Sequence, residues 1–198
     1  MSNIAIIPAR GGSRRIPHKN RKLFKGKPII LYSIEEAQKT GLFDKIIVST
    51  DDQHIMEIAR GAGAEVWIRP PAYCRNEVGT QDVVRECLLG LGHFVNDNDL
   101  VCCIYATAPL MWYQDILQGY WAVRNHPEVN FAFSVGDKPL QDAGQFYWGR
   151  VEAFTFCWPL VNVNSRMIYI DDKRVCDINT MKDWNKALQM YEALHDEN

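Results

Sequence analysis

The sequence predicts an α/β protein: a Rossmann-like, doubly wound, mostly parallel sheet with helices on both faces, forming a single domain over residues 1–198. Two observations carry this. Apolar runs rich in β-branched residues recur at Ile4–Ile7, Ile46–Ser49, Val66–Ile68, Leu100–Ile104 and Phe131–Val135, and unbroken apolar runs are how strands buried on both faces read. Between them the apolar residues switch to helical spacing. Strand and helix alternate four times, the pattern of right-handed βαβ crossovers.

The elements follow in order. After the first strand, Ile30, Ile34 and Ala37 mark a helix; after the second, Ile55, Ile58, Ala59 and Ala62 mark another, with the Asp51-Asp52 pair placed to cap it. Val84, Cys87, Leu88 and Leu91 follow the third strand, and Ile116, Tyr120 and Val123 the fourth. A last helix starts at Met181, with Trp184, Ala187, Leu188, Tyr191 and Leu194 on one stripe and Asn179 or Thr180 as its cap. In such sheets ligands sit beyond the carboxyl ends of the strands, so Ala9–Arg15, Thr50–Asp52 and Tyr105–Pro109 are where a site is expected.

Composition narrows the function. With 47% hydrophobic and 23% charged residues the chain is an ordinary globular protein, which excludes disorder and a disulfide-stapled mini-protein. The formal charge is −2, yet Arg10 to Lys27 holds eight basic residues and no acidic one, leaving 14 basic against 24 acidic elsewhere, or −10. One segment is an anion trap on an acidic protein, which argues against nucleic acid as partner because an extended polyanion would be repelled elsewhere. The opening Met-Ser-Asn-Ile-Ala-Ile-Ile-Pro has no basic n-region and too short an apolar run for a signal peptide or membrane span, so a cytoplasmic protein with no membrane partner is expected. The six cysteines form no C-x-x-C pair and read as core thiols.

Arg10-Gly11-Gly12-Ser13 is neither a Walker A loop nor a G-x-G-x-x-G fingerprint. Its paired glycines can still turn successive N–H groups toward one anion, and Arg10 and Lys19 add the charge a triphosphate uses. Asp51-Asp52 could hold magnesium or a ribose hydroxyl; the cap reading is preferred. Asp177 and Asn179, two apart, share a face if extended and offer an oxygen pair suited to magnesium, the alternative being that Asn179 caps the last helix. The five histidines show no metal-ligand spacing. Phe146-Tyr147-Trp148 reads as core, with the polar residues around it arguing against a purely buried role.

The run Ile6-Ile7-Pro8-Ala9-Arg10-Gly11-Gly12-Ser13-Arg14-Arg15-Ile16-Pro17-His18-Lys19-Asn20 closely resembles the signature that opens the acylneuraminate cytidylyltransferases, the CMP-nonulosonic acid synthetases. The resemblance continues through Gly26-Lys27-Pro28, Ser49–Asp52, Arg69-Pro70, Gly79-Thr80 and Asp177-Ile178. Tyr105–Pro109 and Asp142–Trp148 look most like the pseudaminic acid branch. It implies a fold of the nucleotide-diphospho-sugar transferase type and transfer of CMP from CTP to the anomeric hydroxyl of a nine-carbon sugar acid, with release of pyrophosphate and Mg2+ as cofactor. It implies further that Arg10, Gly12, Ser13 and Lys19 hold the phosphates, that Asn20, Arg69 and Thr80 contact the cytidine, that Asp177 binds the metal, and that Tyr105, Gln145 and Tyr147 line the sugar side. Two departures stand out. The family's D-x-D reads Asp177-Ile178-Asn179, and only Gly136–Leu140 stands where relatives carry an excursion that commonly forms their dimer contact. The chain is therefore expected to be a monomer or a non-standard homodimer, and a catalytically impaired CTP- or CMP-binding relative is the alternative to a working enzyme.

Overall fold

In the computed structural model, which describes residues 1–137 and 141–196, each of the five apolar runs is a strand. The elements in chain order are β1 (Asn3–Pro8), β2 (Leu23–Phe24), β3 (Lys27–Pro28), α1 (Ile29–Lys39), β4 (Lys45–Thr50), α2 (Gln53–Gly61), β5 (Glu65–Ile68), α3 (Thr80–Leu91), β6 (Leu100–Ile104), α4 (Tyr113–Arg124), β7 (Phe131–Val135), β8 (Asp142–Arg150), α5 (Val151–Thr155), β9 (Ser165–Tyr169) and α6 (Met181–Asp196). Seven strands form one sheet in the order β5-β4-β1-β6-β8-β7-β9. All pairings are parallel except those of β8, which runs against both β6 and β7 with Cys102 opposite Trp148 and Phe131 opposite Gly149. Because β8 is reversed, its first residues lie at the carboxyl ends of its neighbours: Asp142 pairs with Val135.

Side-chain alternation sends the two faces of each central strand into separate layers. Ala5, Ile7, Val48, Cys102, Phe146 and Trp148 pack against Ile30, Ile34, Ile55, Ala59, Ile116 and Tyr120, so α1, α2 and α4 cover one face. Ile4, Ile6, Val101, Cys103, Phe133 and Tyr147 meet Val84, Cys87, Leu88 and Phe154, so α3 and α5 cover the other. A third cluster joins the basic loop to the last helix: Ile16, Phe24, Ile29, Tyr32 and Ile178 enclose Trp184 and Ala187. The β2–β3 hairpin that closes this loop turns on Lys25 and Gly26, at φ 46° and 88°, the left-handed pair a two-residue turn requires.

Several expectations need correction. Val66–Ile68 forms a strand but an edge one: Ile68 is 66% exposed, since β4 covers only one side. The aromatic group 146–148 is the middle of a strand the sequence did not announce, and all three rings are buried. Three cysteines are core thiols, Cys87, Cys102 and Cys103; Cys74 and Cys176 are half-buried and Cys157 is exposed. Asp52 caps α2 by accepting from the Ile55 N–H at 3.1 Å. At α6 the cap is Thr180, not Asn179: the Thr180 hydroxyl accepts from the Asp183 N–H at 3.3 Å while the Asp183 carboxylate accepts from the Thr180 N–H at 2.7 Å, a reciprocal capping box. Of the short 136–140 connection, residues 138–140 lie outside the described residues.

Candidate active site

A cleft of 490 Å3 opens at the carboxyl ends of β1 and β6, a volume suited to a small-molecule ligand. Six cations line it, Arg10, Arg14, Arg15, Lys19, Arg69 and Arg75, and no Asp, Glu or His does so among the described residues. Such a surface repels itself unless an anion fills it.

Main-chain carbonyls hold three of the cations, Arg10, Lys19 and Arg69. Arg10 donates to the Cys74 carbonyl at 3.3 Å, Lys19 to the Ile178 carbonyl at 2.7 Å, and the buried Asn20 amide to the Arg10 carbonyl at 2.9 Å. Burial first, and the Arg15 and Arg10 charges second, lower the Lys19 pKa, with Asp177 opposing them. Arg69 is buried against β4, donating to the Ser49 hydroxyl at 3.2 Å and the Ser49 carbonyl at 2.7 Å, and this burial lowers its pKa. His18, just before Lys19, adopts a left-handed φ of 54°.

The cleft gathers Arg10, Ser13, Lys19, Asn20, Arg69, Thr80, Tyr105 and Asn179 of the expected residues. Others stand back from it. Gly12 is exposed outside the lining, and the Gly11 N–H is committed to the Asp51 carboxylate at 2.8 Å. The Ser13 N–H donates to the Gly11 carbonyl at 3.0 Å, so the glycine pair does not form the N–H nest expected of it. Gly11 is needed for close approach instead: a Cβ there would stand 2.8 Å from the Asp52 side chain. Gln145 and Tyr147 do not reach the cleft. Gln145 is 2% exposed and donates to the Arg174 carbonyl at 2.8 Å; Tyr147 lies behind Tyr105. Thr107 also lines the cleft, within the expected Tyr105–Pro109 stretch; the sequence did not single out Tyr73, Arg75 and Asn76, although they fall between Arg69-Pro70 and Gly79-Thr80, both of which carried the resemblance.

The Asp177–Asn179 pair does share a face. The Asn179 amide donates to the Asp177 carboxylate, and its oxygen accepts from Arg15 at 2.7 Å. Among the described residues no three His, Cys, Asp or Glu side chains cluster. Of the pair, Asp177 alone is a carboxylate. That meets the minimum for magnesium, which is commonly held by one or two carboxylates together with substrate phosphates and water.

A mixed seven-stranded sheet with a basic cleft beyond its strand ends defines an α/β protein built to hold a small polyanion. The chain belongs to the cytidylyltransferase family, whose model, described as Cytidylyltransferase, matches residues 4–146. It is 33% identical to the pseudaminic acid cytidylyltransferase of Campylobacter jejuni strain 81-176, with 99% of each chain covered. That alignment spans 229 positions, and 229 less the 198 residues here leaves at least 31 with no counterpart in this chain. The N-acylneuraminate cytidylyltransferase of Streptococcus agalactiae strain 2603 V/R is 36% identical over 112 residues, 56% of this chain and 26% of its own. Among solved structures, a CMP:2-keto-3-deoxy-manno-octonic acid synthetase complexed with CTP superposes with a TM-score of 0.78 at 15% identity, covering 98% of this chain and 100% of its own. A Leptospira borgpetersenii cytidylyltransferase gives 0.69 at 14% identity, covering 100% and 95%. These likenesses share the fold.

Proposed function

We propose that this single-domain chain is a CTP-dependent cytidylyltransferase that transfers CMP to the anomeric hydroxyl of a nonulosonic acid, pseudaminic acid, and releases pyrophosphate. The observation that carries the reading is the cleft of six cations with no carboxylate among the described residues, in a chain aligned over 99% of its length with a pseudaminic acid cytidylyltransferase. Attack at the α-phosphorus places growing charge on the equatorial oxygens and the leaving pyrophosphate, and positioned cations stabilise that charge where water is excluded. Arg10, Ser13, Lys19 and the neighbouring Arg14, Arg15 and Arg75 take the phosphates. Asn20, Arg69 and Thr80 take the cytidine side, and Tyr105 stands on the sugar side. Asp177 would hold Mg2+, which when bound neutralises phosphate charge. The protein works in the cytoplasm as a monomer or as a homodimer through a surface of its own.

A second reading, a nucleotide-binding relative without turnover, is favoured by the engagement of Asn179 with Arg15 and Asp177 rather than with an open metal position. One experiment separates them. CTP, magnesium and pseudaminic acid release pyrophosphate if the first reading holds, whereas the second gives binding alone. CTP at a hundred times its Kd adds about 2.7 kcal/mol of stability in either case, and ATP and GTP add much less. Equal stabilisation by all nucleoside triphosphates refutes the cytosine preference.

A further inference from the structure

A reaction that removes a proton from a sugar hydroxyl needs an acceptor, yet no Asp, Glu or His lines the cleft among the described residues. A file of side chains nonetheless connects the cleft to a carboxylate. Tyr105, on the cleft wall, donates its hydroxyl to the Tyr147 oxygen at 3.4 Å, and the Tyr147 hydroxyl donates to Asp142 Oδ2. Thr80, also on the wall, stands beside the Tyr105 hydroxyl. The two rings meet edge to face at 5.6 Å. Both donors point the same way, from cleft to carboxylate, so the outer end of the file is the Tyr105 hydroxyl oxygen, an acceptor already beside Thr80 with a second lone pair for a substrate hydroxyl. The far end is exposed: Asp142 opens β8 at its solvent edge, with Oδ1 fixed by the Gly144 N–H at 2.8 Å. The strand reversal of β8 is what delivers Asp142 to the carboxyl end of the sheet.

The geometry points to a proton relay in which Asp142 is the terminal base for the nucleophilic sugar hydroxyl, acting through Tyr147 and Tyr105. The inference rests on the transfer reaction proposed above. The anomeric O–H gives its proton to the Tyr105 oxygen as Tyr105 passes its own to Tyr147 and Tyr147 passes its own to Asp142. The freed electron pair on the sugar oxygen forms the bond to the α-phosphorus, and the bond from that phosphorus to its bridging oxygen breaks, its pair leaving with pyrophosphate. Both tyrosines end neutral, and Asp142, now a carboxylic acid, loses the proton to water. Burial keeps the tyrosines neutral throughout, pushing Tyr105 up to about 12 and Tyr147 higher still, so they pass protons and do not store charge. The 3.4 Å link is long for two hydroxyls, and such contacts tighten when substrate closes on them.

The test is D142N, in which the remaining amide oxygen can still accept from Gly144 but the amide nitrogen cannot accept from Tyr147. Single-turnover CMP transfer with CTP, magnesium and pseudaminic acid falls about 100-fold or more, the scale of general base catalysis, while the CTP Kd, the sugar KM and the Tm hold. Y147F falls equally, and D142N/Y147F falls no further than either. A raised sugar KM with unchanged single-turnover rate makes Asp142 a structural or sugar-positioning residue and overturns the relay, as does a D142N rate within about tenfold of wild type. Acetate restoring turnover to Asp142→Ala supports it. Wild-type pyrophosphate release tests the proposed reaction by itself. Proton NMR reads the file without turnover: a Tyr147 hydroxyl resonance far downfield, lost in Y147F and moved upfield in D142N, supports the relay, and its absence from wild type overturns it.

Discussion

At the cleft, in residues 10–20, Arg10, Lys19 and Asn20 donate to main-chain carbonyls and Arg15 to the Asn179 amide oxygen, all uncharged acceptors, whereas along residues 171–183 Arg174 meets a carboxylate and Asp183 accepts from the N–H groups of its own turn. In the first stretch Arg10, Lys19 and Asn20 each end on a carbonyl oxygen, a partner that orients a cation without cancelling its charge. In the second, Arg174 and Asp115 form a buried two-point ion pair, 6% and 4% exposed, with the guanidinium also 4.0 Å above the Trp112 ring. The Arg174 carbonyl takes Gln145, and Asp183 takes the N–H groups of Asn179 and Thr180. Cations left unneutralised are available to a ligand; charges already matched set the shape that faces it. Substitutions at Arg10 and Lys19 should therefore cost function and spare stability, and those at Arg174, its partner Asp115 and Thr180 the reverse.

The largest effect is expected at the buried pair. Asp115→Ala leaves Arg174 charged and unpartnered inside the protein, a loss of about 3–5 kcal/mol. Urea denaturation measures it directly. If Asp115→Ala unfolds at the wild-type midpoint while turnover collapses, the two stretches do not differ in the way stated.

Next is Lys19→Met. Losing a cation aimed at developing phosphate charge costs turnover about 10²- to 10³-fold. Stability stays within about 1 kcal/mol, since the lost bond to the Ile178 carbonyl is offset by release of a desolvated charge. The sign of the pH dependence follows from the lowered pKa. Between that value and the ordinary 10.5 the unfolded chain binds more protons, so the Lys19 contribution to stability rises with pH through this window, and it is absent in the variant. CTP affinity runs the other way, falling as the amine neutralises below 10.5. Calorimetric titration across this range in wild type and Lys19→Arg checks it: the arginine variant shows no such fall.

The same two stretches differ in how far the sequence revealed them. The basic loop was legible because its cations crowd one short segment free of acidic residues and follow the first strand, and both facts are local. The matched stretch depends on partners far along the chain, Arg174 with Asp115 and Gln145 with Arg174, which no spacing discloses. β8 escaped notice because helices cover both faces of the sheet, so Phe146, Tyr147 and Trp148 are all buried and period-two polarity is lost, and because Gly144, at φ 63°, interrupts the run. β9 escaped although it carries the apolar run Met167–Ile170; it is an edge strand, and its Arg166, Met167 and Tyr169 are exposed. The glycine pair does not form its expected nest because such a nest needs a left-handed residue, and neither Gly11 nor Gly12 has a positive φ.

A smaller effect is expected at the helix start. Thr180→Ala removes the hydroxyl that accepts from the Asp183 N–H and donates to its carboxylate at 2.8 Å, costing about 1 kcal/mol. Thermal unfolding of the variant reads it, with Thr180→Ser as the control that keeps the cap. A loss confined to turnover, with the Tm unchanged, would place Thr180 with the basic stretch instead.

Asn179 is where the two stretches meet, because its amide bridges Arg15 of the first and Asp177 of the second. Asn179→Asp should sharpen the difference between them with the smallest cost. The new carboxylate keeps the contact to Arg15 and strengthens it with charge, but it can no longer donate to Asp177, and the two carboxylates repel. A divalent cation between them relieves that repulsion, and adding a carboxylate is how hard-cation sites gain affinity. The magnesium concentration for half-maximal pyrophosphate release should therefore drop, by less than about tenfold, which is under 1.4 kcal/mol, because Arg15 competes for the same oxygens. Without magnesium the variant should melt slightly below wild type, and saturating magnesium should close that gap. Since Thr180 and Asp183 cap α6, no loss of helix capping is expected from the exchange. Superimposable magnesium titrations for wild type and Asn179→Asp, together with an active Asp177→Ala, would remove the pair from metal binding and leave it as the hinge between a charged wall and a matched one.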